Sequence, residues 1–340
     1  MAKQSLATKY RPTIFESMLG QDSVLKILSR QIAEDKFKNA YLFSGTSGCG
    51  KTTAARAFAT AINKGAGVPI EIDAASNNGV ENVRSIIKAA QERSIESNYK
   101  IYIIDEAHAL TSQSWQAFLK CLEEPPKYTI FIFCTTDPQK IPPTILNRVQ
   151  RFNFTRVSAD KIQSRLNFIC KEEGFTNFED STEYISKICE GSVRNAISML
   201  EKCADYSENL SLDNVTKALG NYSYKVFFRL MNAMLDGDEK TILSNINDLY
   251  NDGADLKIFI DQYLDFVLDL AKYEVFHSIY ITKFPKNYED QARSCVEFKN
   301  SGKYYNYVTD KLLELKNAAR TDMNVKATLE VYFLQITRCV

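Results

Sequence analysis

The run Gly45-Thr46-Ser47-Gly48-Cys49-Gly50-Lys51-Thr52 constrains this chain more than any other stretch, because it dictates both a local fold and a ligand class. It follows a short apolar segment at 41–43 and opens a helical pattern at 53–63. A glycine-rich turn between a buried strand and a helix lets successive backbone N–H groups point inward around phosphate oxygens. The helix N-terminus adds the positive end of its dipole. Lys51 then reaches the β- and γ-phosphates of ATP, the Thr52 hydroxyl becomes a ligand for Mg²⁺, and Thr53 completes the cradle. A plain glycine-rich turn with an exposed lysine is the bland alternative, and the strand-to-helix context argues against it.

A second feature fits the first. Residues 101–104 read as a buried strand that ends in Asp105-Glu106, at the sheet edge where open parallel sheets bind ligands. Asp105 is expected to hold the magnesium, mainly through its water shell, and Glu106 to polarise an attacking water as general base. Alone, two solvated carboxylates would look the same; the phosphate loop upstream favours the functional reading. The next residues complete Asp105-Glu106-Ala107-His108, a run shared with certain helicases. Those helicases need a second nucleotide-fold lobe, whereas this chain turns helical, so His108 reads as an ordinary residue beside the site.

Apolar runs at 41–43, 70–72, 101–104, 129–134 and 150–154 alternate with amphipathic stretches such as Val80, Val83, Ile87 and Ala90. This alternation predicts an α/β domain with a mostly parallel sheet covered by helices on both faces. From about residue 156 the strands stop. Ser158 caps a helix carrying Ile162, Leu166 and Ile169; Ser181 opens another, closed by Gly191; Ser192 caps a third and Ser211 a fourth, ending at Gly220. Longer helical patterns follow at 225–236, 239–251, 255–276, 303–319 and 325–338, punctuated by Pro285 and Gly302. A helical C-terminal third without a chemical motif suits assembly better than catalysis. The expected domains are 1–155, 156–220 and 221–340.

Bulk properties remove other classes. Lys plus Arg and Asp plus Glu both number 42, so any nucleic-acid binding must come from a local patch. No apolar run approaches the roughly 18 residues of a membrane span, and the N-terminus lacks the apolar core of a secretion signal, so a cytoplasmic location is expected. Cysteines at 49, 121, 134, 170, 189, 203, 295 and 339 form no Cys-x-x-Cys pair, and with two His they argue against zinc.

Further motifs lie in order along the chain. They are Lys9-Tyr10-Arg11-Pro12 with Leu19-Gly20-Gln21, the segment from Ala40 into the phosphate loop, and Glu71-Ile72-Asp73-Ala74-Ala75-Ser76. Leu122-Glu123-Glu124-Pro125-Pro126, Thr135-Thr136-Asp137-Pro138-Gln139-Lys140 and Gly191-Ser192-Val193-Arg194 follow. Together they span residues 5–205 and resemble the clamp-loader AAA+ ATPases, in particular the bacterial gamma/tau motor subunits of DNA polymerase III.

The resemblance implies an AAA+ P-loop domain with a parallel five-stranded sheet, a small helical lid and an all-α collar that oligomerises. It implies that Tyr10, Arg11 and Pro12 line the adenine pocket, that Thr136 senses the γ-phosphate, and that Arg194 is the second sensor, bridging lid to phosphate. Without the family, Thr136 would pass for a turn residue and Arg194 for a solvated one. Arg148 matches the arginine finger, which acts in trans on a neighbouring subunit's ATP; such a guanidinium is worth about 10³–10⁵ in rate in related chemistry. Its frame departs from the family's Ser-Arg-Cys, reading Asn147-Arg148-Val149.

The four-cysteine zinc module of the bacterial family is also replaced, by Lys64-Gly65-Ala66-Gly67-Val68-Pro69, so zinc is not carried over. That compactness resembles archaeal and eukaryotic small subunits and equally suits a phage-encoded version acting in an infected bacterial cell. The chain ends with the collar, so the long tail of the tau form is not expected.

The implied partners are the other subunits of a pentameric ring, the sliding clamp and primer-template DNA. Asn77, Asn78, Gly79, Arg84 and Lys88 are DNA candidates, with clamp contact near Ile95, although a solvated amphipathic helix reads the same residues equally well. Trp115, Phe118 and Leu119 read as core packing. Two rivals stay open. A non-hydrolysing stator of the same complex would usually have lost phosphate-loop or acidic residues that are present here. Another AAA+ DNA-remodelling motor would carry a strand-rich winged helix, absent from the patterns at 225–338.

Overall fold

In the computed structural model, which describes residues 4–338, the apolar runs become β1 (Ala40–Gly45), β2 (Ile70–Asp73), β3 (Lys100–Asp105), β4 (Thr129–Thr135) and β5 (Gln150–Phe154). They form one sheet in the order β2-β3-β4-β1-β5, and every neighbouring pair is parallel. The central strands are apolar on both faces because helices cover both. Tyr41, Phe43, Ile103 and Ile132 pack with Phe58 of the helix Lys51–Ile62. Leu42, Ile104, Phe131 and Phe133 meet Trp115 and Phe118 of the helix Ser112–Glu123, with Leu119 partly buried against them. Two-sided burial explains why the sequence shows unbroken apolar runs rather than alternation. Each fully buried aromatic here contributes about 1.5–3 kcal/mol. β2 ends the sheet, is four residues long and is mostly exposed.

Strand order decides what meets at the carboxyl edge. β4 lies between β3 and β1, so the ends of these three strands stand side by side, with Ser44 opposite Thr135 and Ile104 opposite Phe133. The phosphate loop, Asp105-Glu106 and Thr135-Thr136 therefore converge although they lie far apart in sequence.

After β5 come the helices Ala159–Glu173, Glu179–Ile188, Val193–Tyr206 and Leu212–Leu219. Ile162, Leu166 and Ile169 are buried, as their spacing implied. The caps read from the sequence are present at two starts. Asn195 N donates to Ser192 Oγ at 3.3 Å, and Asn214 N donates to Ser211 Oγ at 3.4 Å. Ser181 differs: its helix starts at Glu179, two acidic residues occupy the first turn, and Ser181 is fully buried inside it.

The remaining helices are Tyr224–Leu235, Glu239–Asn251, Leu256–Phe276, Glu289–Val296, Ser301–Thr321 and Val325–Thr337. Glu289–Val296 was not expected. Gly302 does not interrupt a helix but sits in the first turn of one. There Ser301 Oγ donates to Glu274 Oε1 at 3.0 Å, and a Cβ on Gly302 would lie 3.3 Å from that oxygen. A carboxylate at a helix N-terminus is favourable, and glycine makes room for it.

The described residues divide into two compact units. One comprises the residues up to Ile169 together with Cys189–Glu201 and contains the sheet. The other comprises Cys170–Ile188 and the residues from Lys202 onward. The second unit is helical and has its own aromatic core around Phe227, Phe259, Tyr263, Phe266 and Phe333. No described helix is long and apolar enough to cross a membrane.

Candidate active site

The loop at 45–52 is shaped by what presses on it. Gly48 has φ +72°, and a Cβ there would stand 2.0 Å from Ser192 Oγ. A Cβ on Gly45 would stand 2.2 Å from the Phe154 carbonyl oxygen of β5. At Gly45 the obstacle is fixed backbone, whereas at Gly48 it is a serine hydroxyl that would have to turn, on top of the strain of the positive φ. Gln21 ties the preceding segment to the same region: its Nε2 donates to the Thr155 carbonyl at 2.7 Å, and Thr155 N donates back to Gln21 Oε1 at 3.0 Å.

Lys51 is 6% exposed, and its Nζ donates to the Gly45 and Thr46 carbonyls, each at 2.9 Å. Among the described residues no carboxylate pairs with it. A buried ammonium whose partners are two neutral carbonyls is poorly compensated, and an incoming phosphate is the anion that this cradle fits. Next in sequence, the Thr52 hydroxyl donates to Asp105 Oδ2 at 2.8 Å. A hydroxyl and a carboxylate so placed are hard oxygen donors of the kind magnesium takes, usually retaining several waters of its own.

Glu106 has left-handed backbone angles, φ 47° and ψ 43°, which are uncommon outside glycine. Its N–H donates to Asp105 Oδ1 at 3.0 Å. Its Oε2 accepts from Thr136 Oγ1 at 3.2 Å and lies 3.3 Å from His108 Nδ1. The same Nδ1 is 3.1 Å from Thr135 Oγ1. His108 is thus in contact with the candidate base, which the reading of it as an ordinary neighbour missed.

Lys51, Thr52, Asp105 and Glu106 border a cavity of about 310 Å³, walled also by Ser47, Cys49, Gly50, Thr53, Tyr10, Arg11, Pro12 and Arg194, whereas Thr136 and His108 reach it only through Glu106. Gly45 and Thr46 contribute through Lys51 rather than by lining it. The cavity is strongly cationic. Burial, and then the neighbouring guanidinium groups of Arg56 and Arg194, push the Arg11 pKa down, while Glu71 opposes the shift. Arg56 is paired with Glu71 at 2.5 Å. Arg165 Nη2 donates to the Tyr10 carbonyl at 2.7 Å, its guanidinium lies 5.3 Å from the Phe168 ring centre, and burial lowers its pKa too. Tyr10 meets that ring edge-on at 6.2 Å.

Arg56 and Arg165 were not singled out from the sequence. Arg56 follows Thr52 by one helical turn, a spacing that places both on one face. Arg165 carried no local signal, since it reads as the polar side of an amphipathic helix.

Arg148 stands apart from this cavity. Its guanidinium donates to the Thr144 carbonyl at 2.8 Å and to Glu123 Oε1 at 2.7 Å. On the helix Val80–Ala90, Arg84 is exposed and paired with Glu81 at 2.6 Å, and Lys88 is exposed one turn on. Asn77 Nδ2 donates to the Asp73 carbonyl at 3.1 Å, and the Asn78 carbonyl accepts from Ser114 Oγ at 2.6 Å. Ile95 is fully exposed. The seven described cysteines are buried and none forms a disulfide, while Cys339 lies outside the described residues. No cluster of three or more His, Cys, Asp or Glu among the described residues is placed to hold a metal.

Comparison with known proteins gives a consistent picture. A family model described as "DNA polymerase III, delta subunit" matches residues 68–158, and one described as "DNA polymerase III subunits gamma and tau domain III" matches residues 210–323. The DNA polymerase III subunit gamma of Buchnera aphidicola subsp. Schizaphis graminum is 33% identical over 326 residues, covering 89% of each chain. The tau subunit of Bacillus subtilis is 36% identical over 296 residues, covering 81% of this chain and 53% of its own length. The gamma/tau subunit of Mycoplasma genitalium is 36% identical over 288 residues, covering 78% of this chain and 48% of its own. The chain thus spans about half the length of these last two relatives. Among solved structures, the RuvB Holliday junction branch migration motor of Thermotoga maritima matches with a TM-score of 0.54 at 17% identity, covering 66% of this chain and 79% of that one. That likeness is one of fold alone.

Proposed function

The chain belongs to the gamma/tau family of DNA polymerase III subunits, and from that premise we propose that it is an ATP-hydrolysing motor subunit of a sliding-clamp loader. The observation that carries the proposal is the convergence, on one sheet edge, of a buried Lys51 without a carboxylate partner, the Thr52–Asp105 hydrogen bond and the Glu106 carboxylate. A stator would have no need of all four groups.

In this reading the backbone N–H groups of residues 45–52 and the Lys51 ammonium bind the β- and γ-phosphates of ATP. Thr52 and Asp105 hold Mg²⁺, which when bound neutralises phosphate charge. Glu106 takes the proton of the attacking water, and Thr136 reports the γ-phosphate to it. Tyr10, Arg11 and Pro12 enclose the adenine, and Arg194 binds the phosphate from the lid at 156–220. The collar at 221–340 joins the subunits of a pentameric ring in the bacterial cytoplasm. ATP then biases the ring toward the state that grips an open clamp, and hydrolysis on primer-template DNA removes the bias. DNA phosphates are met by Asn77, Asn78, Arg84 and Lys88, and the clamp near Ile95.

The test is steady-state ATP turnover by the complex reconstituted with its partner subunits, with and without clamp and primed DNA. The reading expects stimulation by the two together and its loss in Lys51→Ala. Unstimulated turnover would refute it.

A further inference from the structure

We propose that His108 is a positioning residue for the catalytic carboxylate, holding Glu106 when Thr136 turns away to the nucleotide; this rests on the roles given above to Glu106 and Thr136. Thr136 Oγ1 carries one proton, and here it is donated to Glu106 Oε2 at 3.2 Å. A hydroxyl that senses a γ-phosphate must donate that same proton to a phosphate oxygen, so it serves one acceptor at a time. Glu106 is then released by Thr136 at the step where its orientation matters most.

The structure supplies a second holder on the same oxygen. His108 Nδ1 lies 3.3 Å from Glu106 Oε2 and 3.1 Å from Thr135 Oγ1. An imidazole nitrogen with its lone pair facing a carboxylate oxygen would be repelled, so Nδ1 bears the hydrogen and shares it between the two oxygens. Thr135 is fully buried, and its Oγ1 also accepts from the Asp137 N–H at 3.1 Å, which fixes the anchor of the ring. His108 sits in the short helix Ala107–Ala109, whose entry is the left-handed Glu106 itself. The ring and the carboxylate it steadies are therefore set by one turn. When Thr136 leaves, the Nδ1–H bond to Glu106 can shorten without any backbone motion, and the carboxylate keeps its aim at the attacking water. A base displaced by about 1 Å loses on the order of 10²-fold in rate, which is the scale of effect available to such a holder.

The experiment compares His108→Ala, His108→Asn and His108→Gln in the reconstituted complex with clamp and primed DNA. It reads kcat and KM for ATP together with the affinity for a fluorescent non-hydrolysable ATP analogue. Asparagine places an amide donor where Nδ1 stands; glutamine places it near Nε2. The inference expects His108→Ala to lower kcat about tenfold to a hundredfold, with KM and analogue affinity within about twofold of the unaltered complex. Asparagine, but not glutamine, should restore most of the rate. Unchanged kcat in His108→Ala overturns the inference. So does an equal loss in all three variants with weakened nucleotide binding, which would mark a packing role. If the unaltered complex shows no stimulated turnover, the proposed function fails and this inference with it; normal stimulation with normal His108→Ala rejects the inference alone.

Discussion

The Lys51 ammonium is buried against two of its own loop's carbonyls, and in the proposed function ATP relieves that imbalance. A ligand that binds only the folded state adds about 2.7 kcal/mol at a hundredfold excess over Kd. Thermal unfolding with and without Mg-ATP should therefore show a clear ligand-induced rise in Tm, and Lys51→Ala should lose most of it. In the proposed function Glu106 has a different task, accepting the proton of the attacking water. Glu106→Gln keeps the size and a polar group but cannot accept the proton, so turnover should fall about 10²–10⁴-fold while ATP-analogue affinity changes little. Equal losses in both measurements would mean that Glu106 binds nucleotide rather than activates water.

At the scale of elements, the sheet is held by aromatic side chains packed on two faces. Phe133 is fully buried among Trp115, Phe118 and Phe131, so Phe133→Ala should cost about 3–5 kcal/mol in reversible denaturant unfolding. Gly45 has φ +151°, so Gly45→Ala should cost about 1–3 kcal/mol from its backbone angle alone. A clash with a β5 carbonyl, which is fixed by strand pairing, adds to that.

Much of this level was legible in advance. The five strands fall within two residues of the apolar runs, because burial on both faces writes itself directly into composition. The caps at Ser192 and Ser211 were legible because they are local. What was not legible depends on distant partners. Gly302 reads as a breaker until Glu274 is seen beside it. Arg165 reads as solvated until the Tyr10 carbonyl is found at its tip, and His108 reads as a bystander until β4 brings Thr135 to its ring. The helix Asp22–Ala33 buries Val24 and Leu28, whose helical spacing is itself visible in the sequence.

For the whole molecule, the informative residue is the one outside the cavity. Arg148 is held by Glu123 and the Thr144 carbonyl, with a third of its side chain exposed, and it does not line the cavity that its own Lys51 borders. In the proposed function Arg148 is the arginine finger of a neighbouring subunit's site, and residues 45–52 are half of a composite site. Mixing two inactive variants of the chain in the reconstituted complex tests this directly. Lys51→Ala lacks its own site but keeps its finger; Arg148→Ala lacks the finger but keeps its site. Each alone should hydrolyse ATP at a small fraction of the normal stimulated rate, and the mixture should recover activity well above either. A mixture no more active than its components would contradict the account, because it would place Arg148 with its own subunit's nucleotide or remove it from the reaction.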